Sequence, residues 1–91
     1  MKKLDKVAFK NEFRKVTVSG FADVTYKTIG GDIVETKATL DPKLMGADSY
    51  GLARIPNDDD TVTYFDCDAD GWRKFKTANI ISVNGEKYKV R

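Results

Sequence analysis

Residues 64–75 read Tyr-Phe-Asp-Cys-Asp-Ala-Asp-Gly-Trp-Arg-Lys-Phe, and this stretch indicates the fold most directly. The segment 61–67 is rich in β-branched and aromatic side chains, which favour strands. A second strand is predicted over 72–76, and the acidic turn Asp68-Ala69-Asp70-Gly71 joins the two as a hairpin. The second strand opens on the only tryptophan, Trp72, which is followed by three cations: Arg73, Lys74 and Lys76.

The remainder of the chain also alternates as strands do. Apolar residues at every second position predict strands over 22–26 and 33–40, joined at Gly30-Gly31, which supplies the positive φ of a tight turn. On the second of these strands Val34, Ala38 and Leu40 are expected on one face and Glu35, Lys37 and Thr39 on the other. Strands over 80–83 and 86–90 flank Asn84-Gly85, the strongest short hairpin signal in the chain.

The N-terminal residues have a different period. Leu4, Val7, Ala8 and Phe13 fall roughly at helical spacing, so a short helix is predicted within residues 1–14. We therefore expect a mostly β protein: a small SH3/Sm-like barrel of five to six short antiparallel strands over residues 15–91, preceded by this helix. A chain of 91 residues is the size of one domain, so residues 1–91 are expected to form a single domain.

Composition argues against the common kinds of catalytic site. The lone Cys67 cannot form an intramolecular disulfide, and the absence of histidine removes Cys/His nucleophile pairs and histidine metal sites. The spacing Asp66-x-Asp68-x-Asp70-Gly71 matches the first half of a calcium loop, but the position that requires glutamate holds Thr77. We expect no enzyme activity, no cofactor and no metal. No apolar run predicts a secretory signal or a membrane span, so the cytoplasm is the expected location.

The charges are segregated along the chain, although the net charge is only +2. Residues 1–15 carry six cations and two anions, residues 72–91 carry six cations and one anion, and residues 58–71 carry six aspartates and no cation. Aromatic faces that stack on bases, flanked by cations that contact phosphates, are typical of single-stranded nucleic-acid binders. The candidate nucleic-acid-binding residues are therefore Lys27, Lys37, Trp72, Arg73, Lys74, Lys76, Lys87 and Lys89.

Two of these residues have a structural alternative. Trp72 could fill or cover the core instead of stacking on a base. Arg73 could pair with Asp66 instead of presenting its guanidinium to a phosphate. The acidic segment could instead bind a protein partner through Asp58, Asp59, Asp60, Asp68 and Asp70.

Several short motifs resemble one family. They are Val24-Thr25-Tyr26-Lys27, Lys37-Ala38-Thr39-Leu40 with Pro42, Phe65-Asp66, and Gly71-Trp72-Arg73-x-Phe75 with Ile80 and Val83 behind it. Over roughly residues 20–83 the chain resembles small tailed-phage proteins described as WYL-like with an Sm-like SH3 barrel. The resemblance implies that fold, a phage origin and the cytoplasm of an infected host cell. WYL domains are thought to bind nucleic acid or nucleotide-like ligands.

Two functions are compatible with these observations. The first is a phage-encoded module that binds nucleic acid or a nucleotide-phosphate ligand and modulates phage or host gene expression during host takeover. The second is a protein-interaction module that binds and modulates a host protein, such as a defence or transcription component. No membrane association is expected. A homo-oligomer could form through the edge of strand 86–90, although Lys87 and Lys89 are the kind of charges that block edge pairing.

Overall fold

The computed structural model describes residues 1–18, 20–41, 60–69 and 71–91. The elements are, in order, strand β1 (Lys2–Leu4), helix α1 (Lys6–Thr17), strands β2 (Phe21–Lys27), β3 (Ile33–Thr39), β4 (Thr61–Asp66) and β5 (Gly71–Lys76), a single 3₁₀ turn (Thr77–Asn79), and strands β6 (Ile80–Val83) and β7 (Glu86–Val90). The protein is mostly β with one helix, as the sequence predicts. No helix in the described ranges has the length and apolar character needed to cross a membrane.

All seven strands belong to one sheet with the order β1-β7-β6-β2-β3-β4-β5. Neighbouring strands are antiparallel except β1 and β7, which are parallel. The predicted closed barrel of five to six strands is wrong for the described residues. The sheet is open, because β5 pairs there only with β4 and β1 only with β7.

Strand β1, which is not predicted from the sequence, has no local sequence signal. Its three residues, Lys-Lys-Leu, show no clear alternation, and the strand exists because it pairs with residues 88–90 at the far end of the chain. This pairing also changes the role of β7. The sequence predicts that the strand 86–90 lies at a sheet edge available for oligomer formation. In the structure, β1 pairs with residues 88–90 of β7, so the outermost strand is β1, which has only three residues.

Helix α1 lies later in the chain than residues 1–14. Asp5 begins it as the N-cap, and its side chain accepts a hydrogen bond from the Ala8 backbone N–H at 2.8 Å. The helix then continues through Val16 and Thr17, whose β-branched side chains favour a strand. Two tertiary bonds to the Thr17 carbonyl hold the helix end: the Leu40 backbone N–H donates at 3.0 Å and the Thr39 hydroxyl at 3.3 Å.

The same contacts explain why Thr39 is buried, although the strand pattern places it on the same face as the exposed residues Glu35 and Lys37. Its hydroxyl also donates to the Gly20 carbonyl at 2.6 Å, and Thr39 is fully buried. The hairpin turns, in contrast, match their sequence signals. Gly31 has a φ of 94°, and Asn84 and Gly85 have φ values of 51° and 81°.

Phe75 is the centre of an aromatic core between α1 and the sheet. Its ring stacks on Tyr26 with centroids 4.6 Å apart and an interplanar angle of 17°. It also contacts Phe13 and Tyr64, each at 5.9 Å, and Phe9 at 6.4 Å. The hydroxyls of Tyr26 and Tyr64 form a hydrogen bond of 2.8 Å, so the polar ends of these buried rings satisfy each other. Strand β5 is thereby joined to both β2 and the helix.

Replacing Phe75 by alanine should destabilise the fold far more than replacing Trp72. The Phe75→Ala change removes a buried ring with four aromatic neighbours, which should cost about 3–5 kcal/mol. Trp72 is partly buried and packs edge-on against Phe65, so Trp72→Ala should cost roughly 1–2 kcal/mol. Urea unfolding of both variants measures the difference. Equal losses for the two variants would contradict this assignment of the core.

A cationic cleft between β5 and the β2–β3 hairpin

A cleft of about 650 Å³ opens between β5 and the hairpin formed by β2 and β3. One wall is the run Arg73–Lys76, and the opposite wall is the run Tyr26–Gly30 together with Val34. Successive residues of a strand point to opposite faces of a sheet, so a cleft on one face would be lined by every second residue. Four consecutive residues line this cleft, which indicates that the cleft borders the edge of the strand. The cleft therefore runs along the outer edge of β5. Its volume is in the range of small-ligand sites.

The lining of the cleft is strongly cationic. Among the described residues that line it, four are cations and none is an anion. The cations are Lys27, Arg73, Lys74 and Lys76. A concave site with low-dielectric walls and charges of one sign focuses the electrostatic field, so this cleft favours an anionic ligand.

The floor of the cleft is apolar. Tyr26 and Phe75 line it, but each ring is only 4% exposed because the two stack on each other, so neither offers a free face to a base. Ile29 is different: it sits at the tip of the hairpin and is 87% exposed. Thr28 and Asn79 add a hydroxyl and an amide that can form hydrogen bonds with a ligand.

Arg73 forms an ion pair with Asp66, with 3.5 Å between the arginine Nε and the aspartate Oδ2. Asp66 is almost fully buried, with its side chain 3% exposed. Its Oδ1 accepts hydrogen bonds from the Thr36 hydroxyl at 2.6 Å and from the backbone N–H groups of Asp68 and Ala69 at 2.9 and 3.0 Å. Asp66 thus holds the β4–β5 turn in shape. The Arg73 side chain remains half-exposed beside the cleft, so the ion pair does not exclude contact with a ligand.

Trp72 lies on the other face of the β4–β5 hairpin from Phe75. It is opposite Phe65 in the strand register, and the two rings meet edge-on with centroids 5.7 Å apart. Neither ring belongs to the main aromatic core, and Trp72 does not line the cleft. The structure therefore places Trp72 outside the cleft that Arg73, Lys74 and Lys76 line, and on the opposite face of β5 from Arg73.

The other predicted cations lie in two further places. The Lys37 Nζ is 4.9 Å from the centre of the Phe21 ring, and Lys37 lines a separate groove of about 370 Å³ with Asp23, Glu35 and Asp68. Lys87 and Lys89 are exposed on β7, where Lys87 is opposite Ser82 and Lys89 is beside Lys3 of β1. The eight candidate residues therefore do not form one surface.

The acidic residues proposed for protein binding are only partly described. Asp58, Asp59 and Asp70 lie outside the described residues. Asp60 is exposed and forms an ion pair with Lys6. Asp68 is exposed near the end of β4 and accepts a hydrogen bond from the Thr36 hydroxyl at 3.3 Å.

In the turn after β4, Asp66 accepts hydrogen bonds from the backbone N–H groups of Asp68 and Ala69, while Asp70 of the calcium-like spacing lies outside the described residues. Within the described ranges, no three His, Cys, Asp or Glu side chains are placed to hold a metal ion. Cys67 lies in this turn and is half-buried. The sequence predicts that Cys67 ends a strand over 61–67, but β4 ends one residue earlier, at Asp66. Burial, together with the charges of Asp66 and Asp68, raises the pKa of the Cys67 thiol, which makes it a poorer nucleophile.

Several lining residues were absent from the sequence prediction. Tyr26 and Phe75 are typical core residues in any strand pattern and carry no signal of a binding site. Ile29 does carry one, because turn positions next to a Gly-Gly pair usually hold polar residues and an apolar side chain there is unusual. Thr28 and Asn79 are common turn residues, so only the folded arrangement brings them to the cleft.

No curated protein sequence and no solved structure matches the chain. A family model does match it, over residues 12–81, which span the second half of α1 and the strands from β2 to β5. The matched strands include those that build both walls of the cleft. The chain therefore belongs to the WYL_2 family, which is described by its Sm-like SH3 β-barrel fold.

Proposed function

We propose that this protein is a binding module whose cleft takes a phosphate group of a nucleic acid strand or a nucleotide. The observation that carries the proposal is the set of four cations, with no anion among the described lining residues, around a cleft of ligand size. Phosphate contacts dominate the affinity of proteins for nucleic acids, and lysine and arginine supply most of them.

The other lining groups suit the rest of such a ligand. Ile29 projects an apolar surface at the mouth of the cleft, where it can contact the face of a base or sugar. The outer edge of β5 is unpaired within the described residues, and backbone N–H groups commonly donate to phosphate oxygens. Tyr26 and Phe75 keep the floor rigid and need not stack on the ligand.

The biological setting of the proposal comes from the family resemblance. In that setting the protein is encoded by a phage, acts in the cytoplasm of the infected cell, and modulates phage or host gene expression by holding a nucleic acid or nucleotide. The cleft supplies binding and no catalytic step. The modest net charge of +2 fits a site whose local charge, and not the charge of the whole protein, attracts the ligand.

Lys27→Ala should weaken binding of a short labelled oligothymidine, and Lys37→Ala should not. The two lysines are exposed on neighbouring strands of one hairpin, but only Lys27 lines the cleft. Binding is measured by fluorescence anisotropy between about 50 and 200 mM salt. The slope of log Kd against log salt should be smaller by about one for Lys27→Ala than for the wild type, because one phosphate contact is lost. Absence of binding by the wild type at low salt, or equal effects of both variants, would refute the proposal.

A second candidate function is binding of a basic segment of a host protein. The groove beside β2 and β3 favours it, because its described lining holds three anions, Asp23, Glu35 and Asp68, and one cation, Lys37. Complementary charges of this kind steer protein association. Glu35→Lys should then abolish recovery of a partner from nuclease-treated bacterial lysate, while Lys27→Ala should leave the recovery unchanged. A partner that is lost after nuclease treatment would argue against this function.

A further inference from the structure

Arg73 differs from a flexible surface cation in that a fixed carboxylate faces its Nε atom. The Asp66 Oδ2 lies 3.5 Å from this nitrogen, while the Asp66 Oδ1 is held by the Thr36 hydroxyl and by the backbone N–H groups of Asp68 and Ala69. The carboxylate is almost fully buried, so it cannot swing away to follow a mobile arginine. The structure thus contains a rigid anchor next to a cation of the cleft.

The planar geometry of arginine determines which of its donors the Asp66 anchor occupies and which remain for a ligand. A guanidinium is planar and carries donors on Nε and on two Nη atoms, so a partner at Nε leaves the Nη atoms free to bind a second anion. We propose that Asp66 is a positioning residue that presents the Nη atoms of Arg73 to a phosphate group in the cleft. This inference rests on the proposed function and specifies how its phosphate site is built.

The ion pair contributes to stability, because a buried carboxylate is costly without a charged partner, although solvent screens the half-exposed arginine. The pair does restrict the orientation of the Arg73 side chain. A lysine at position 73 has no Nε–H group to place against Asp66 and cannot bind phosphate through two parallel donors.

The variant Asp66→Asn tests the inference with little change in shape. Its side-chain oxygen can still accept the hydrogen bonds of the turn, whereas the amide that replaces Oδ2 cannot pair with the Arg73 Nε–H group. The affinity for labelled oligothymidine should fall roughly tenfold, because the ion pair that orients Arg73 toward the phosphate is lost. In the Arg73→Ala background, Asp66→Asn should cause no further loss, because it acts through Arg73.

Two further measurements separate positioning from a structural role. The Arg73 Nε–H signal in NMR spectra, assigned by its disappearance in Arg73→Lys, should exchange slowly with water in the wild type and rapidly in Asp66→Asn. Arg73→Lys should bind as weakly as Arg73→Ala, which also tests the inference if Asp66→Asn does not fold. Lysine that restores wild-type affinity would overturn the inference.

The failures are distinguishable. If the wild type does not bind oligothymidine at low salt, the proposed function fails and the phosphate role of Asp66 fails with it. If the wild type binds but the losses from Asp66→Asn and Arg73→Ala add, then Asp66 does not act through Arg73. In that case the cationic cleft stands and the positioning role is wrong.

Discussion

The stacking of Phe75 on Tyr26 is the contact on which the rest of the structure depends. The sheet is open within the described residues, so no strand pairing joins β5 to β2, and packing of side chains must fix their separation. Phe75 does this by contacting Tyr26 on the sheet and Phe9 and Phe13 on the helix. The stacked rings of Phe75 and Tyr26 therefore fix the distance between the two walls of the cleft. Because the rings cover each other, they offer no free face to a ligand.

Local signals in the sequence were enough to predict most of the strands. Strands β6 and β7 and their Asn84-Gly85 turn lie where the pattern places them, because a two-residue turn fixes the pairing of its own neighbours. The end of α1 could not be predicted in this way. Thr17 continues the helix because Leu40 and Thr39 bond to it from more than 20 residues away. Strand β1 likewise depends on a partner at the opposite end of the chain.

The candidate site was predictable only in part, for a related reason. Arg73, Lys74 and Lys76 lie together because they share one strand, and any fold would keep them close. Whether Lys27 or Lys37 joins them depends on the order and curvature of the strands, which no local pattern encodes. Trp72 shows the same limit: its neighbour Arg73 lines the cleft, while its own ring meets Phe65 on the opposite face.

The central claim is that the cleft beside β5, and no other basic surface of the described chain, binds the phosphate ligand. Titration of isotope-labelled protein with short oligothymidine, followed by backbone amide NMR, tests this most directly. The account predicts that the largest shift changes fall on residues 27–30, 73–76 and Asn79, around the cleft. Changes centred instead on Lys87 and Lys89 of β7, or on the groove that contains Glu35 and Lys37, would contradict it.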